Sequence, residues 1–151
     1  MTLSKPTQDQ FIEMMAWFKN PKELRTWSGP NFRYPYDLDT FTDDLDLNTI
    51  ESFTVVSKKS ELLAFGQCYN RLNRCHLGRL VVAPMHRGKN IVSDLMTLLI
   101  AFGTKKWGVN EISLFVMSNN EVALNTYLRF GFKIVDYPEA MPISNCYYMV
   151  K

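Results

Sequence analysis

Two short stretches of this 151-residue chain carry residue types able to do chemistry. The first, LVVAPMHRGKNIV over 80–92, is an apolar, strand-like run that passes through Pro84 and Arg87-Gly88-Lys89 into a helix-periodic segment. A helix N-terminus presents unpaired backbone N–H groups and the positive end of the helix dipole, so it holds phosphate oxygens. Arg87 and Lys89 add positive charge there, and Gly88 lets the backbone approach a ligand closely. The second stretch, SNNEVALNTYLRFGF over 118–132, puts Ala123, Thr126, Tyr127 and Phe130 on one helical face. Taken singly, neither is decisive. An Arg-Gly pair precedes many helices that bind nothing, and a tyrosine on such a face is commonly a core residue with a satisfied hydroxyl.

The elements that would position these residues can be read from the hydrophobic periods. Residues 7–19 place Phe11, Met14, Met15 and Phe18 at helical spacing, with Pro21 as the expected stop. Residues 21–37, with three prolines and four aromatics, read as a long shaped loop. Asp39–Leu47 is expected as a short acidic helix capped by Asp39 or Thr40. The period then changes. Ser52–Val56 and Leu62–Tyr69 read as a hairpin around a polar turn, and a second turn near Arg71–Arg74 leads into a third strand that Pro84 ends. Gly88–Lys106 reads as a long helix with Ile91, Leu95, Leu98, Leu99 and Phe102 on its apolar face, and Gly108 as its stop. Ile112–Met117 is a buried, parallel strand. Ser118 and Glu121 have capping-box spacing before a helix that runs to Phe130, with Gly131 as its left-handed cap. Phe132–Tyr137 and Cys146–Val150 close the chain as strands. One domain over 1–151 follows, of class α+β, with a mixed sheet and helices on its faces.

Composition narrows the functional classes. With 46% hydrophobic and 21% charged residues the chain is an ordinary globular one, and a net charge of +2 gives no case for nucleic-acid or membrane partners. Three cysteines, two histidines and no CxxC argue against a disulfide framework and a structural metal site, and the expected location is cytoplasmic. Charge is segregated: six acids and no base lie between Arg33 and Lys58, whereas Arg71, Arg74, Arg79, Arg87 and Lys89 fall between Glu61 and Asp94 with no acid. Trp27, Phe32, Tyr34 and Tyr36 beside the acidic run read as an aromatic, anionic cradle for a cation and equally as a packed loop over one end of the sheet, and the two readings are not exclusive.

Together the two stretches resemble the GNAT superfamily of N-acetyltransferases. That family's loop reads Arg/Gln-x-x-Gly-x-Gly/Ala after an L-x-V-x-P strand; here Leu80-Val81-Val82-Ala83-Pro84 precedes Arg87-Gly88-Lys89-Asn90-Ile91-Val92. Its later motif, N-x-x-A-x-x-x-Y-x-x-x-G-F, is matched at Asn120, Ala123, Tyr127, Gly131 and Phe132. The resemblance covers about residues 50–150 and implies a three-layer fold. Its central sheet is mixed and mostly antiparallel, with helices on both faces and a splayed pair of parallel strands. It also implies acetyl-CoA as the donor and a small-molecule or peptide amine as the acceptor, and it leaves a homodimer open.

In the mechanism this implies, residues 87–92 hold the pyrophosphate. Backbone N–H groups at Leu80, Val81 and Val82 meet the acetyl oxygen and the pantetheine amides. Tyr127 protonates the leaving thiolate, and Asn120 caps its helix beside the pantetheine arm. The strand before the loop carries no acid, which leaves His76 as the candidate base: by the strand period it shares a face with Leu80, and its ordinary pKa of about 6.5 suits neutral pH. The sequence departs from the loop pattern at Asn90 and Val92, where the family has small residues, and this keeps alive an alternative, a catalytically silent acyl-CoA sensor. Asn tolerates a left-handed backbone, but Val92 is β-branched and crowds the phosphates. Val92→Gly is therefore expected to tighten acetyl-CoA binding in titration calorimetry, and an unchanged dissociation constant would remove steric crowding as the meaning of Val92.

Overall fold

The computed structural model describes all residues, 1–151. The elements follow in the order β1 (Thr2–Ser4), α1 (Gln8–Met15), α2 (Pro21–Ser28), α3 (Leu38–Asp44), β2 (Glu51–Val56), β3 (Leu62–Arg71), β4 (Arg74–Val82), α4 (Ile91–Trp107), β5 (Ile112–Met117), α5 (Glu121–Phe130), β6 (Lys133–Val135) and β7 (Cys146–Val150). The seven strands form one sheet in the order β1-β2-β3-β4-β5-β7-β6. Every pairing is antiparallel except β4 with β5. The expected mixed, mostly antiparallel sheet with one parallel pair is therefore present.

Each face of the sheet has its own core. Ile91, Leu95, Met96 and Leu99 of α4, with Tyr127 of α5, bury against Val55, Cys68, Leu77, Leu114 and Met149 of the strands. On the opposite face Phe11 and Met14 of α1, Leu24 of α2 and Phe41 of α3 pack with Phe65 and Val81. Both helices that follow parallel strands, α4 and α5, lie on one face, as right-handed crossovers require. Burying side chains of this size stabilises by roughly 1.5–3 kcal/mol each.

Several boundaries differ from the sequence expectation. Pro21 does not stop α1; it opens α2 as its first residue, with the Asn20 side chain accepting from Glu23 N–H at 2.9 Å. Proline suits a first helical turn, whose N–H has no partner in any case, so the expected loop contains two turns of helix. The short acidic helix begins earlier, because Asp37 rather than Asp39 or Thr40 is its cap, and the Thr40 hydroxyl accepts in return from Asp37 N–H. Asn120, not Ser118, caps α5, because Asn120 N–H first closes a turn on the Met117 carbonyl. Strand β1 was not expected at all; three residues are too short to show a period, and pairing with β2 defines it.

Gly103 sets how closely α4 approaches the sheet. A β-carbon there would stand 2.8 Å from the Trp107 ring and closer still to Cys75 Sγ. Gly103→Ala is expected to lower the denaturant midpoint by about 1–2 kcal/mol of stability, even though alanine favours a helix by about 1 kcal/mol over glycine. Equilibrium urea unfolding checks this, and an unchanged or higher midpoint would mean that the α4 contact is loose.

Candidate active site

The site is made by the parting of two strands. β4 and β5 pair only from Cys75–Leu77 to Ile112–Leu114. Beyond those residues Gly78–Val82 and Phe115–Met117 have no partners in each other, and a cavity of about 840 Å³ opens between them. A β-bulge accompanies the parting. Gln67 stands opposite Gly78 and Phe65 opposite Val81, so Arg79 and Leu80 together face Gly66 alone. Arg79 takes a left-handed backbone, φ 48°, to make the extra step.

The bulge reverses the side-chain alternation of β4. His76 lies among Tyr69, Phe115 and Tyr148, on the face that carries α1–α3. Leu80 packs on the opposite face, with Leu99 of α4. The expectation that His76 and Leu80 share a face is thus overturned, because a two-residue period does not survive an inserted residue. His76 is also buried, 2% exposed, with its Nδ1 2.8 Å from Ser113 Oγ. Burial first, and the Arg71 charge second, hold its pKa down at about 3, so the ring is neutral at ordinary pH.

At the mouth of the cavity the loop from Arg87 to Val92 winds into α4. Gly88 (φ 78°) and Asn90 (φ 60°) are both left-handed, which delays the helix to Ile91 rather than the expected Gly88. Asn90 is the cap residue, and its Oδ1 accepts from Ser93 Oγ at 2.9 Å. The backbone N–H groups of Gly88 through Val92 make no hydrogen bond of good geometry within the protein. Five consecutive free donors, at the positive end of a 17-residue helix, form a ready anion seat. Arg87 and Val92 line the cavity beside it, and Lys89 is exposed.

Deeper in, Leu80, Val81 and Val82 line one wall, while Asn120, Ala123 and Tyr127 of α5 line the other. Ala83 N–H donates to Leu63 on β3 at 2.8 Å, so by strand alternation the N–H of Val82 points away from β3, towards the space that β5 has left. The Val82 carbonyl, on that same side, accepts from Arg87 Nε at 3.3 Å. Asn120 caps α5 as expected, accepting from Ala123 N–H at 3.3 Å. Burial pushes the Tyr127 phenol up to about 12, and its hydroxyl makes no hydrogen bond within the protein. Arg74 Nε is the only sealed-off polar side-chain atom without a partner, so the Tyr127 hydroxyl still opens on the cavity.

The far end is built by α2 and the segment that joins it to α1, where the sequence singles out only Trp27. Trp17, Phe18, Glu23, Thr26 and Trp27 line it, together with Gln67 and Arg79 of the sheet. The Trp27 ring stacks on Phe18 at 4.4 Å between centroids, and its Nε1–H donates to the Arg79 carbonyl. Phe32, Tyr34 and Tyr36 do not reach the cavity; they pack with Phe41 and Trp27 in the α1–α3 core. Part of the acidic run is also spent on structure. Asp37 caps α3, Asp44 pairs with Arg33, and Glu51 pairs with Lys5 and Lys106. Phe32, Tyr34 and Tyr36 are thus part of a packed layer, and of the four aromatics only Trp27 reaches the cavity. An arginine inside an apolar strand run is the available signal for Arg79, but no spacing rule marks it.

The parting parallel pair, the free backbone donors at the next helix and the cavity that joins them all lie within one three-layer fold. The chain matches the model of the acetyltransferase (GNAT) family over residues 14–132, and it belongs to that family. It is accordingly an N-acetyltransferase by class, with acetyl-CoA as the donor. Its fold is similar to that of spermidine N-acetyltransferase from Vibrio cholerae in complex with CoA and spermine (TM-score 0.74, 18% identity, covering 99% of this chain and 94% of that one). It is also similar to the PaiA N-acetyltransferase from Thermoplasma acidophilum in complex with coenzyme A (TM-score 0.71, 20% identity, 99% and 96%). No helix is long and apolar enough to cross a membrane.

The buried neutral His76 has a consequence for stability. Its folded pKa lies below the ordinary 6.5, so the unfolded chain binds its proton first as pH falls. The contribution is complete above pH about 6.5 and is lost towards pH about 3, at up to about 1.4 kcal/mol per pH unit. His76→Asn is expected to flatten the dependence of unfolding free energy on pH between about 6 and 4. An identical slope in wild type and variant would show that the imidazole is protonated in the folded protein.

Proposed function

We propose that the chain moves the acetyl group of acetyl-CoA to a primary amine by direct attack within a ternary complex. The observation that carries this reading is the unpaired Tyr127 hydroxyl, open to the cavity across from the unpaired Val82 N–H. With the thioester drawn into the parting of β4 and β5, the Val82 N–H would polarise the acetyl oxygen and stabilise the charge that develops there. Residues 87–92 would hold the pyrophosphate, and Leu80, Val81 and Asn120 would flank the pantetheine arm.

The neutral amine nitrogen attacks the thioester carbon, the C–S bond breaks, and the proton that the nitrogen sheds on becoming an amide balances the one the leaving sulfur takes up beside Tyr127, so the phenol ends protonated. A phenol near 12 is uphill of an ordinary thiol by roughly 5 kcal/mol. A thiolate desolvated in the same cavity is raised too, which narrows the gap. Tyr127 thus acts chiefly as a hydrogen-bond donor to the leaving sulfur, and its high pKa keeps it protonated across the working range.

Amine deprotonation has no strong base to lean on. His76 is neutral but resists a proton, and Glu23, the only carboxylate lining the cavity, is exposed and accepts from Lys19 N–H at 2.9 Å. We therefore read His76 as a positioning residue for the sheet face, held by Ser113, and assign deprotonation to water. Neutralising a lysine amine at pH 7 costs about 4–5 kcal/mol and an α-amine only about 1, so an amine of low pKa, on a small molecule or a peptide, fits best.

The test is free-thiol release from acetyl-CoA across a panel of amines, with Tyr127→Phe alongside. Amine-dependent release that falls tenfold or more in the variant, at unchanged acetyl-CoA affinity, is the expected result. Tight acetyl-CoA binding with no release for any amine would favour a silent acyl-CoA sensor, and an equal rate in Tyr127→Phe would move the proton donor elsewhere.

A further inference from the structure

Arg79 is a cation held inside the cavity wall without an anion. Its Nε donates to the Ser28 carbonyl at 3.2 Å and its Nη1 to Gln67 Oε1 at 3.1 Å. Its guanidinium lies 5.6 Å from the centre of the Phe32 ring. No carboxylate is within ion-pair distance: Asp44 and Asp46 act on its charge only from farther off, and Asp44 is engaged by Arg33. Nη2 has no partner in the protein, yet it is not sealed off, and the residue lines the cavity.

The neighbours fix this arrangement. Gln67 is 1% exposed, and its Nε2 spends both hydrogens, on the Leu45 carbonyl at 2.7 Å and Ser52 Oγ at 2.8 Å. Its oxygen must therefore face Arg79. Trp27 donates to the Arg79 carbonyl, and α2 supplies Ser28, so main chain and side chain are both clamped. The bulge that parts the strands is the same residue's left-handed step. Only neutral oxygens meet the guanidinium, and arginine keeps its proton in proteins. Its charge is therefore left for something in the cavity.

The other charged side chains lining the cavity are Lys22, Glu23 and Arg87, with Arg87 at the cofactor mouth. The acceptor end is thus net positive, which suits an anion and repels a polycation. Building on the transferase reading, we propose that Arg79 binds an anionic group carried beside the acceptor amine, so that the substrate is a free amino acid or a similar amine bearing a carboxylate or phosphate. A guanidinium presents paired N–H donors to either oxyanion, and Nη2 with the second Nη1 hydrogen is the free edge here.

Thiol release would be compared for an amino acid panel, the matching decarboxylated amines, O-phosphoethanolamine and spermidine, in wild type, Arg79→Gln and Arg79→Lys. The expected result is a kcat/KM at least tenfold higher for one oxyanion-bearing class than for the decarboxylated amines or spermidine. That preference should collapse in Arg79→Gln through KM and be partly restored in Arg79→Lys. The amino acid and O-phosphoethanolamine arms separate carboxylate from phosphate. Faster use of spermidine or of the decarboxylated amines, or a preference indifferent to Arg79 in a folded variant, would overturn the proposal. Binding of N-acetylated amino acids and N-acetyl-O-phosphoethanolamine to the CoA-loaded protein is measured by calorimetry in parallel. Arg79-dependent binding without turnover of any amine would sustain the anion site while removing the transferase reading. Absence of such binding alongside absence of turnover would remove both.

Discussion

Two parallel strands that stop pairing leave backbone donors with nothing to bind, and a buried donor without a partner costs more than a made hydrogen bond contributes. That tension governs this molecule. β4 and β5 are held together at Cys75–Leu77 and released beyond them, and the released edge is tolerable only because it faces a cavity rather than packed side chains. The bulge at Arg79–Leu80 makes the release geometrically possible by adding a residue to β4 without lengthening β3. Both cores adapt to it: Leu80 drops into the α4 layer, while Val81 meets the α1–α3 layer.

This origin explains the division of labour around the cavity. The α4 and α5 side provides backbone donors, a helix end and a buried phenol, which are features of main-chain geometry as much as of residue type. The α1 and α2 side provides indoles, an amide and a guanidinium, all tied to the bulged segment through Trp27, Ser28 and Gln67. A change in α2 therefore reaches the strand that bears the free Val82 N–H through two hydrogen bonds on one residue, Arg79.

The wall of the cavity with free backbone donors, α4's entry and α5, was legible in the sequence because its signals are local. A glycine and an asparagine in left-handed positions, a proline ending a strand, and an Asn cap just ahead of the helical face of Ala123 and Tyr127 are all signals carried by short stretches of chain. The far end was not, because its signals are relational. Arg79 reaches the cavity only through the register of β4 on β3, and register belongs to the pair of strands, not to either sequence. The same inserted residue defeated the face assignment of His76. α2 was hidden by Pro21, which reads as a stop to the preceding helix and works as a start to the next. Much of the acidic run, conspicuous as charge, is caps and ion pairs at Asp37, Asp44 and Glu51.

The placement of the indoles gives the molecule an optical property. Of its three tryptophans, Trp17 and Trp27 line the cavity, while Trp107 lies at the far end of α4 with its ring against Phe102. Trp27 is held face to face with Phe18 and anchored by its N–H to the very residue that steps out of the strand. Emission from this protein is thus weighted towards the chamber where the reactants would meet. Filling or emptying that chamber alters the polarity and hydrogen bonding around two of its three fluorophores, so the native chain carries its own reporter of occupancy with no dye attached.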